Sequence, residues 1–241
     1  MIDFHCHILP GLDDGAQNLE ESLALARQCV AAGVTAVVGT PHGQGRIFDT
    51  LLPRREEAFK TLADALKQER LPLQLYPGME YFADGHSIDM AIAHPEILCG
   101  VPGTPNRPLL LEISIDMDLQ FVADLLFMAQ IKGVPLVLAH PERYKSFRKS
   151  FQLLCDLMDK GLVLQFNSED FHKGFFSRAI PNLMLALIDH DPTRVVLGSD
   201  AHHASRRPAG LTMAQETITK ALGNLTWEQI SQKNAAELLG I

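Results

Sequence analysis

Short apolar runs alternate with amphipathic stretches along the chain. The continuously apolar run Val134 to Ala139 is typical of a parallel strand covered on both faces. The alternation predicts an α/β protein built on either a barrel or a doubly wound sheet. The predicted strands are Ile2 to Cys6, Val34 to Thr40, Leu73 to Met79, Pro108 to Ile113, Pro135 to Ala139, Leu162 to Phe166 and Arg194 to Gly198.

Helix signals fall between these strands. Asn18 followed by Glu21 is a capping box, which predicts a helix with an apolar face from Leu19 to Val30 that ends at Gly33. The other predicted helices run from about Pro53 to Arg70, from Leu119 to Lys132 before Gly133, from Phe151 to Lys160 before Gly161, and from a capping box at Thr226 to Leu239.

Composition narrows the class of protein. The 241 residues, 46% of them hydrophobic, suit one domain over residues 1–241. A net charge of -8 without a basic run argues against a partner that is a nucleic acid or an anionic membrane. The N-terminus does not resemble a signal peptide, and no apolar window approaches the roughly 20 residues that cross a bilayer. We therefore expect a cytoplasmic protein without membrane insertion.

The four cysteines are dispersed, which predicts free thiols rather than a disulfide framework. They are Cys6, Cys29, Cys99 and Cys155, and none has an Arg six positions later, as the loop of a cysteine-based phosphatase requires. That phosphatase chemistry is excluded.

Residue types that bind metals stand at the C-terminal ends of six of the seven predicted strands. Active sites of barrels are built on that rim, so these side chains are expected to converge on one cluster. They are His5, His7, His42, Glu80, Glu112, His140, Asp200 and His202.

Paired spacing strengthens the metal-site interpretation. His5 and His7 are two residues apart on a strand and so point to the same side, and Asp200 and His202 repeat this spacing. One such pair alone is equally well explained by satisfied histidines in a half-buried strand. Two pairs on separate strands favour ligation.

Each of the remaining strand-end residues, taken alone, also has an ordinary structural explanation that involves no metal. A proline lies beside His42 and His140, so either could simply cap a loop. Glu80 and Glu112 end apolar strands, where a metal or an Arg must neutralise them. Asp13 belongs to an Asp-Asp-Gly loop and is interpreted as a turn residue.

Several motifs together resemble the PHP superfamily of metal-dependent phosphoesterases. They are HCHILPGLDDGA at the N-terminus, TPH after the second strand, PGME ending at Glu80, AHPERY at 139–144 and SDAH at 199–202. The match spans essentially the whole chain in order. It is particularly similar to the manganese-dependent tyrosine phosphatases that act in exopolysaccharide and capsule regulation.

The resemblance implies a distorted seven-stranded (β/α) barrel with three divalent ions, expected to be Mn²⁺, with Zn²⁺ or iron as alternatives. Asp14 and Glu112 stand where other PHP phosphatases tend to have His, which favours the tyrosine phosphatase branch. The implied ligand sets are His5, His7, bridging Glu80 and Asp200 for one ion, Glu80, Glu112 and His140 for a second, and Asp14, His42 and His202 for a third.

Three such ions carry about six positive charges against four ligand carboxylates, which leaves a surplus of roughly two for a phosphate dianion. We expect in-line attack on phosphorus by a hydroxide that bridges the metals, without a covalent enzyme intermediate. Arg143 and Arg206 are the predicted phosphate clamps, and Arg207 is ranked below Arg206 as a solvated neighbour.

The predicted substrate is phosphotyrosine on a protein, and the resemblance suggests the Tyr-rich tail of a bacterial tyrosine kinase. The enzymatic alternative is a small-molecule phosphatase similar to histidinol phosphatases, or a nucleotide phosphoesterase, on the same metals. A non-catalytic metal-binding regulatory module is a third possibility, which the complete set of nine ligand positions disfavours.

Two segments of the rim depart from the family pattern, at 43–45 and 165–170, and they bear on the choice of substrate. Five histidines are left over. His86, His94 and His190 are interpreted as ordinary surface or helix residues, and His203 as a neighbour of the site. His172 and Lys173 are candidates for the rim.

Overall fold

The computed structural model describes residues 1–44, 48–172 and 179–241. Every strand pairing in this part of the chain is parallel. The strands are β1 Ile2–Cys6, β2 Ala36–Gly39, β3 His42–Gly43, β4 Gln74–Pro77, β5 Glu80–Phe82, β6 Leu109–Glu112, β7 Leu136–Ala139, β8 Val163–Asn167 and β9 Val195–Gly198. They form a three-stranded sheet, β1-β2-β4, and a six-stranded sheet, β3-β5-β6-β7-β8-β9.

The structure confirms a parallel α/β fold but not the closed seven-stranded barrel. Two of the strands extend beyond their predicted ends and are interrupted, so that β2 and β4 lie in one sheet while their continuations β3 and β5 lie in the other. Pro41 interrupts the first because it has no N–H to give to a ladder. Gly78 interrupts the second, at a point where a Cβ would lie 2.7 Å from Cγ1 of Val38. An isolated bridge from Cys6 to Ala201 links β1 to the chain after β9.

Both sheets contribute to one inner apolar cluster of small and branched side chains. Its members are Ile2, Phe4, Ala36, Val38, Cys99, Leu110, Val137, Ala139, Val163, Val196, Ala235 and Leu239. In β2, β6, β7, β8 and β9, alternate residues face this cluster, and intervening apolar residues join a larger core beneath the helices. The two sheets therefore enclose a shared interior.

The helices pack around the strands. They are α1 Leu19–Ala31, α2 Phe48–Gln68, α3 Ser87–Ala93, α4 Gln120–Lys132, α5 Phe151–Asp159, α6 Ala179–His190, α7 Thr212–Leu222, α8 Asn224–Glu228 and α9 Asn234–Leu239. Short 3-10 turns lie at Pro95–Ile97, Pro141–Arg143, Phe147–Lys149, Ser168–His172 and Pro192–Arg194, and a π-turn at Gln229–Lys233 joins α8 to α9.

Cap residues predicted some helix ends and missed others. Oδ1 of Asn18 accepts the N–H of Glu21 at 3.0 Å, which confirms the cap of α1, and Gly133 ends α4 with φ 70°. The predicted start of α2 at Pro53 is wrong, because this proline lies inside the helix. The capping box at Thr226 is also wrong, since its hydroxyl donates to the carbonyl of Leu222 from within α8.

Within the described residues, no helix is both long enough and apolar enough to cross a membrane. The four cysteines are buried free thiols, as predicted.

Candidate metal centre

All nine predicted ligand residues converge on one rim of the sheets, with His42 and Glu80 at the starts of β3 and β5 and Asp14 in the loop after β1. Their donor atoms form four overlapping groups, and within each group the atoms lie no more than 4.8 Å apart. The groups are His7, Asp14, His42 and His202; His5, His7 and Asp200; His5, Glu80 and His140; and His42, Glu80 and Glu112. Strand ends that are distant in sequence thus supply one contiguous cluster.

Glu80 lies at the centre of the cluster and is only 1% exposed. Its Oε1 is 2.8 Å from Nε2 of His140. Its Oε2 is 3.2 Å from Nε2 of both His5 and His7 and 3.0 Å from Nδ1 of His42, yet it has no hydrogen-bond donor among the described residues. A buried carboxylate oxygen that faces three imidazole nitrogens without a donor is the geometry expected of a bridging metal ligand.

The Nε2 atoms of His5 and His7 lie 3.2 Å apart. On the opposite side of each ring, Nδ1 meets an acceptor at 2.7 Å, which is Oε1 of Gln165 for His5 and Oδ2 of Asp13 for His7. These acceptors hold a ring proton on each Nδ1, so that both Nε2 atoms are directed at each other and at Oε2 of Glu80. A cation between the two Nε2 atoms would be coordinated by both, and the residues present therefore fit a metal ion.

The ring of His202 is oriented by a hydrogen bond at Nδ1 in the same way. Its Nδ1 donates to the carbonyl oxygen of Asp200 at 2.8 Å, which leaves Nε2 facing Oδ1 of Asp14 at 3.4 Å. Burial, followed by the nearby charge of His7, lowers the pKa of His202 to about 4, so this imidazole is neutral at pH 7. Asp14 is 70% exposed and also lies 3.5 Å from Nε2 of His42.

The surrounding carboxylates make the cluster attractive to cations. Burial alone would lower the pKa of His7, but hydrogen bonds and charges from Asp13, Asp200 and Glu80 raise it well above its ordinary value. The same negative potential that favours a proton on His7 favours a metal ion at that point.

Two of the strand-end residues have backbones in the left-handed region. His140 has φ 31° and Asp200 has φ 51°, conformations that L-residues rarely adopt and that concentrate at functional sites. Close packing also places glycines beside the ligands. A Cβ on Gly198 would lie 2.6 Å from Cβ of His5, and one on Gly15 would lie 2.4 Å from Cβ of His7.

Two arginines flank the cluster, Arg143, which was predicted, and Arg207, which was ranked below Arg206. Arg143 donates to Oδ2 of Asp200 at 2.6 Å and to Oε1 of Glu169 at 2.9 Å. Arg207 also donates to Oδ2 of Asp200 and lies 3.3 Å from Nε2 of His202. Arg206 is exposed beside Glu21 in a separate surface depression. The structure therefore brings Arg207, and not Arg206, to the cluster.

Several residues that position the ligands were missed from the sequence. Asp13, interpreted only as a turn residue, accepts hydrogen bonds from His7 and from the backbone N–H of His42 at 2.9 Å. Nε2 of Gln165 donates to Oδ1 of Asn167, and Nδ2 of Asn167 donates to Oδ2 of Asp200. Two polar residues at alternate positions in the otherwise apolar β8 were the signal that could have found this network.

The leftover histidines lie outside the four ligand groups. His86 and His172 are exposed, and His190 is paired with Asp159. His203 adjoins the site through a bridge to Arg207. Gly45 and Lys173, which were singled out for the rim, lie outside the described residues.

Solved structures define the class to which this fold belongs. A structure from work on YwqE from Bacillus subtilis and CpsB from Streptococcus pneumoniae, described as unique metal-dependent tyrosine phosphatases, matches with a TM-score of 0.85 and 30% identity. The match covers 100% of this chain and 94% of that one. The histidinol phosphate phosphatase of Lactococcus lactis, at 14% identity over 92% of this chain and 94% of its own, has a TM-score of 0.61 and shares the fold alone.

Sequence comparison identifies the family. The family model described as capsular polysaccharide synthesis, CpsB/CapC, matches residues 1–240. The tyrosine-protein phosphatase YwqE of Bacillus subtilis is 30% identical over 224 residues, which cover 93% of this chain and 86% of that protein. The chain belongs to the CpsB/CapC family, and the predicted family is confirmed.

Proposed function

We propose that this protein is a metal-dependent phosphatase that hydrolyses phosphomonoesters, with phosphotyrosine on a protein as its substrate. The observation that carries this proposal is the close approach of three metal-ligand atoms. Nε2 of His5, Nε2 of His7 and Oε2 of Glu80 lie within 3.2 Å of one another, and this Oε2 has no hydrogen-bond donor among the described residues. The full-length match to a YwqE/CpsB tyrosine phosphatase structure supports the choice of reaction.

We assign the nine converging residues as ligands of three divalent ions, in the sets implied by the resemblance. Manganese is the proposed metal, although mixed histidine and carboxylate sites also accept zinc and iron. Bound ions of this kind lower the pKa of water into the neutral range and offset the charge of the phosphate oxygens.

The chain prepares its ligands by fixing imidazole tautomers. Asp13, Gln165 and the carbonyl of Asp200 each accept a hydrogen bond from Nδ1 of a different histidine, which leaves Nε2 free to coordinate. Partners of this kind typically change metal affinity 10–100-fold.

Arg143 and Arg207 have separable roles in this proposal. Arg143 is held by Asp200 and Glu169 on both sides and keeps the carboxylate of Asp200 oriented toward the imidazoles. Arg207 lies against Nε2 of His202 and loses this acceptor once that nitrogen is committed to a metal. Its partly exposed guanidinium can then form paired hydrogen bonds with the phosphate.

The two sheets are interpreted as a distorted barrel in a single domain, because strands of both sheets share the inner cluster. We further propose the cytoplasm as the compartment, which suits four buried free thiols. The proposed partner is the Tyr-rich tail of a bacterial tyrosine kinase, in capsule or exopolysaccharide regulation, in keeping with the description of the family.

A comparison of substrates tests the proposal. We expect the manganese-loaded protein to hydrolyse phosphotyrosine peptides and to leave histidinol phosphate and short oligonucleotides largely intact. Absence of phosphopeptide hydrolysis would refute the proposed substrate. The His7→Ala and Arg143→Ala variants test the site itself, and retention of full activity by both would refute the assignment of its residues.

A further inference from the structure

A depression of about 350 Å³ opens on the rim directly beside the metal centre. Its lining residues are His42, Gly43, Gln44, Phe82 and Glu112. Because His42 and Glu112 are proposed ligands, a phosphate held at the metals has its ester group next to this depression. Phe82 carries the one phenyl ring among these lining residues.

The alternation of side chains along β5 directs Phe82 to the same side of the strand as Glu80, the proposed bridging ligand. Side chains alternate along a strand, so Glu80 and Phe82 point to the same side, whereas Tyr81 points away into the larger core. Phe82 lies two residues beyond Glu80, about 7 Å along the strand toward the rim. Its Cα partner on the neighbouring strand is Glu112.

Phe82 does not serve either hydrophobic core of the described chain. It is half-buried and is absent from both apolar clusters and from the partly buried residues packed against them. Gly43, which also lines the depression, brings no side chain into the space. Within the described part of the chain, the ring of Phe82 is therefore available to a ligand.

We propose that Phe82 is a specificity-determining residue that packs against the aromatic ring of an aryl phosphate. The inference rests on the proposed phosphatase function and deepens it, because it locates the group that distinguishes aryl from alkyl esters. With the phosphate at the metals, an aryl ring extends outward along Phe82, whereas a short alkyl group does not reach it. Aromatic pairs favour offset or edge-to-face contact, which Phe82 can supply.

The test compares phenyl phosphate with glycerol phosphate as substrates of the manganese-loaded wild type and of Phe82→Leu and Phe82→Tyr. We expect Phe82→Leu to raise KM for phenyl phosphate roughly tenfold with kcat little changed, because ring binding contributes equally to ground and transition states. We expect Phe82→Tyr to keep the wild-type KM for phenyl phosphate. Neither variant should change the KM for glycerol phosphate. Phe127→Ala, which removes a ring that is 63% exposed on α4, is the control and leaves both substrates unaffected.

A binding measurement separates this inference from the proposed function. Calorimetry with phenylphosphonate and methylphosphonate needs no hydrolysis, and we expect Phe82→Leu to weaken only the phenyl ligand. If the wild type hydrolyses no phosphomonoester, the proposed function is refuted while the binding comparison still decides the role of Phe82. Equal losses for both phosphonates, or no loss for either, would overturn the inference.

Discussion

Oδ2 of Asp13 lies 2.7 Å from Nδ1 of His7, and the same oxygen accepts the backbone N–H of His42 at 2.9 Å. Burial acts to raise the pKa of Asp13, but the hydrogen bond and charge of His7 lower it to about 2. Asp13 is thus an ionised carboxylate that orients one proposed ligand and fixes the backbone of another.

Removal of this carboxylate should weaken metal binding without unfolding the protein. We expect Asp13→Ala to lower the affinity for manganese 10–100-fold, because the tautomer and orientation of His7 are no longer fixed. Calorimetric titration of metal-stripped protein provides the measurement. Asp64→Ala is the matched control, since Asp64 is exposed and its ion pair among residues 1–44, 48–172 and 179–241 is with Lys67 at 3.9 Å. Unchanged affinity in Asp13→Ala would contradict the positioning role.

The two adjacent arginines should differ sharply in their effect on phosphatase activity. Arg207→Ala is expected to lower kcat/KM for a phosphotyrosine peptide by about 100-fold, as loss of a charged phosphate contact costs on the order of 2–3 kcal/mol. Arg206→Ala should stay within about twofold of the wild type, because its side chain is exposed outside the cluster. Steady-state kinetics of both variants measures this difference. A larger loss in Arg206→Ala than in Arg207→Ala would support the prediction from sequence that Arg206 is the phosphate clamp.

Glycine at position 198 should be required for the geometry of the site. A methyl group there would lie 2.6 Å from Cβ of His5 and 2.7 Å from Nε2 of Gln165. We expect Gly198→Ala to lower the free energy of unfolding by about 1–3 kcal/mol and to weaken manganese binding. Gly85→Ala is the control, because a Cβ at Gly85 has no neighbour within 4 Å. Thermal unfolding of the two variants in the presence of manganese provides the comparison.

Removal of metal should lower thermal stability. A ligand at a concentration 100 times its Kd stabilises the folded state by about 2.7 kcal/mol, so addition of chelator to the metal-loaded protein should lower Tm by several degrees. The His7→Ala variant should show a smaller drop because its cluster binds metal more weakly. Calorimetric scans with and without chelator measure this, and a wild-type Tm that is independent of metal would contradict the prediction.

The sequence predicted the convergence of the proposed ligands because all but Asp14 stand at or beside a strand end. His5, Glu80, His140 and Asp200 follow continuous apolar runs, and the parallel arrangement brings the carboxyl ends of such runs to one rim. The strand pattern therefore contained enough information to place residues from six separate runs in one cluster.

Other features depend on three-dimensional contacts that local patterns do not encode. Beyond two of the predicted strands the chain continues, after interruptions at Pro41 and Gly78, into short strands of the other sheet, and periodicity alone gives no sign of a change of sheet. The position of Arg207 at the cluster was also not predicted, since neighbouring residues of the same type differ only in the direction that the loop gives them. Asp13 was missed because an Asp-Gly turn and a histidine-orienting carboxylate have the same local sequence.

The central claim is most directly tested by the phosphotyrosine phosphatase activity of metal-stripped protein before and after addition of manganese. Phosphate release from a phosphotyrosine peptide is measured together with the bound metal content of the same sample. We expect no activity in the stripped protein and full recovery as manganese fills the site, with His7→Ala recovering far less. Hydrolysis by the stripped protein at the rate of the loaded one would contradict the account.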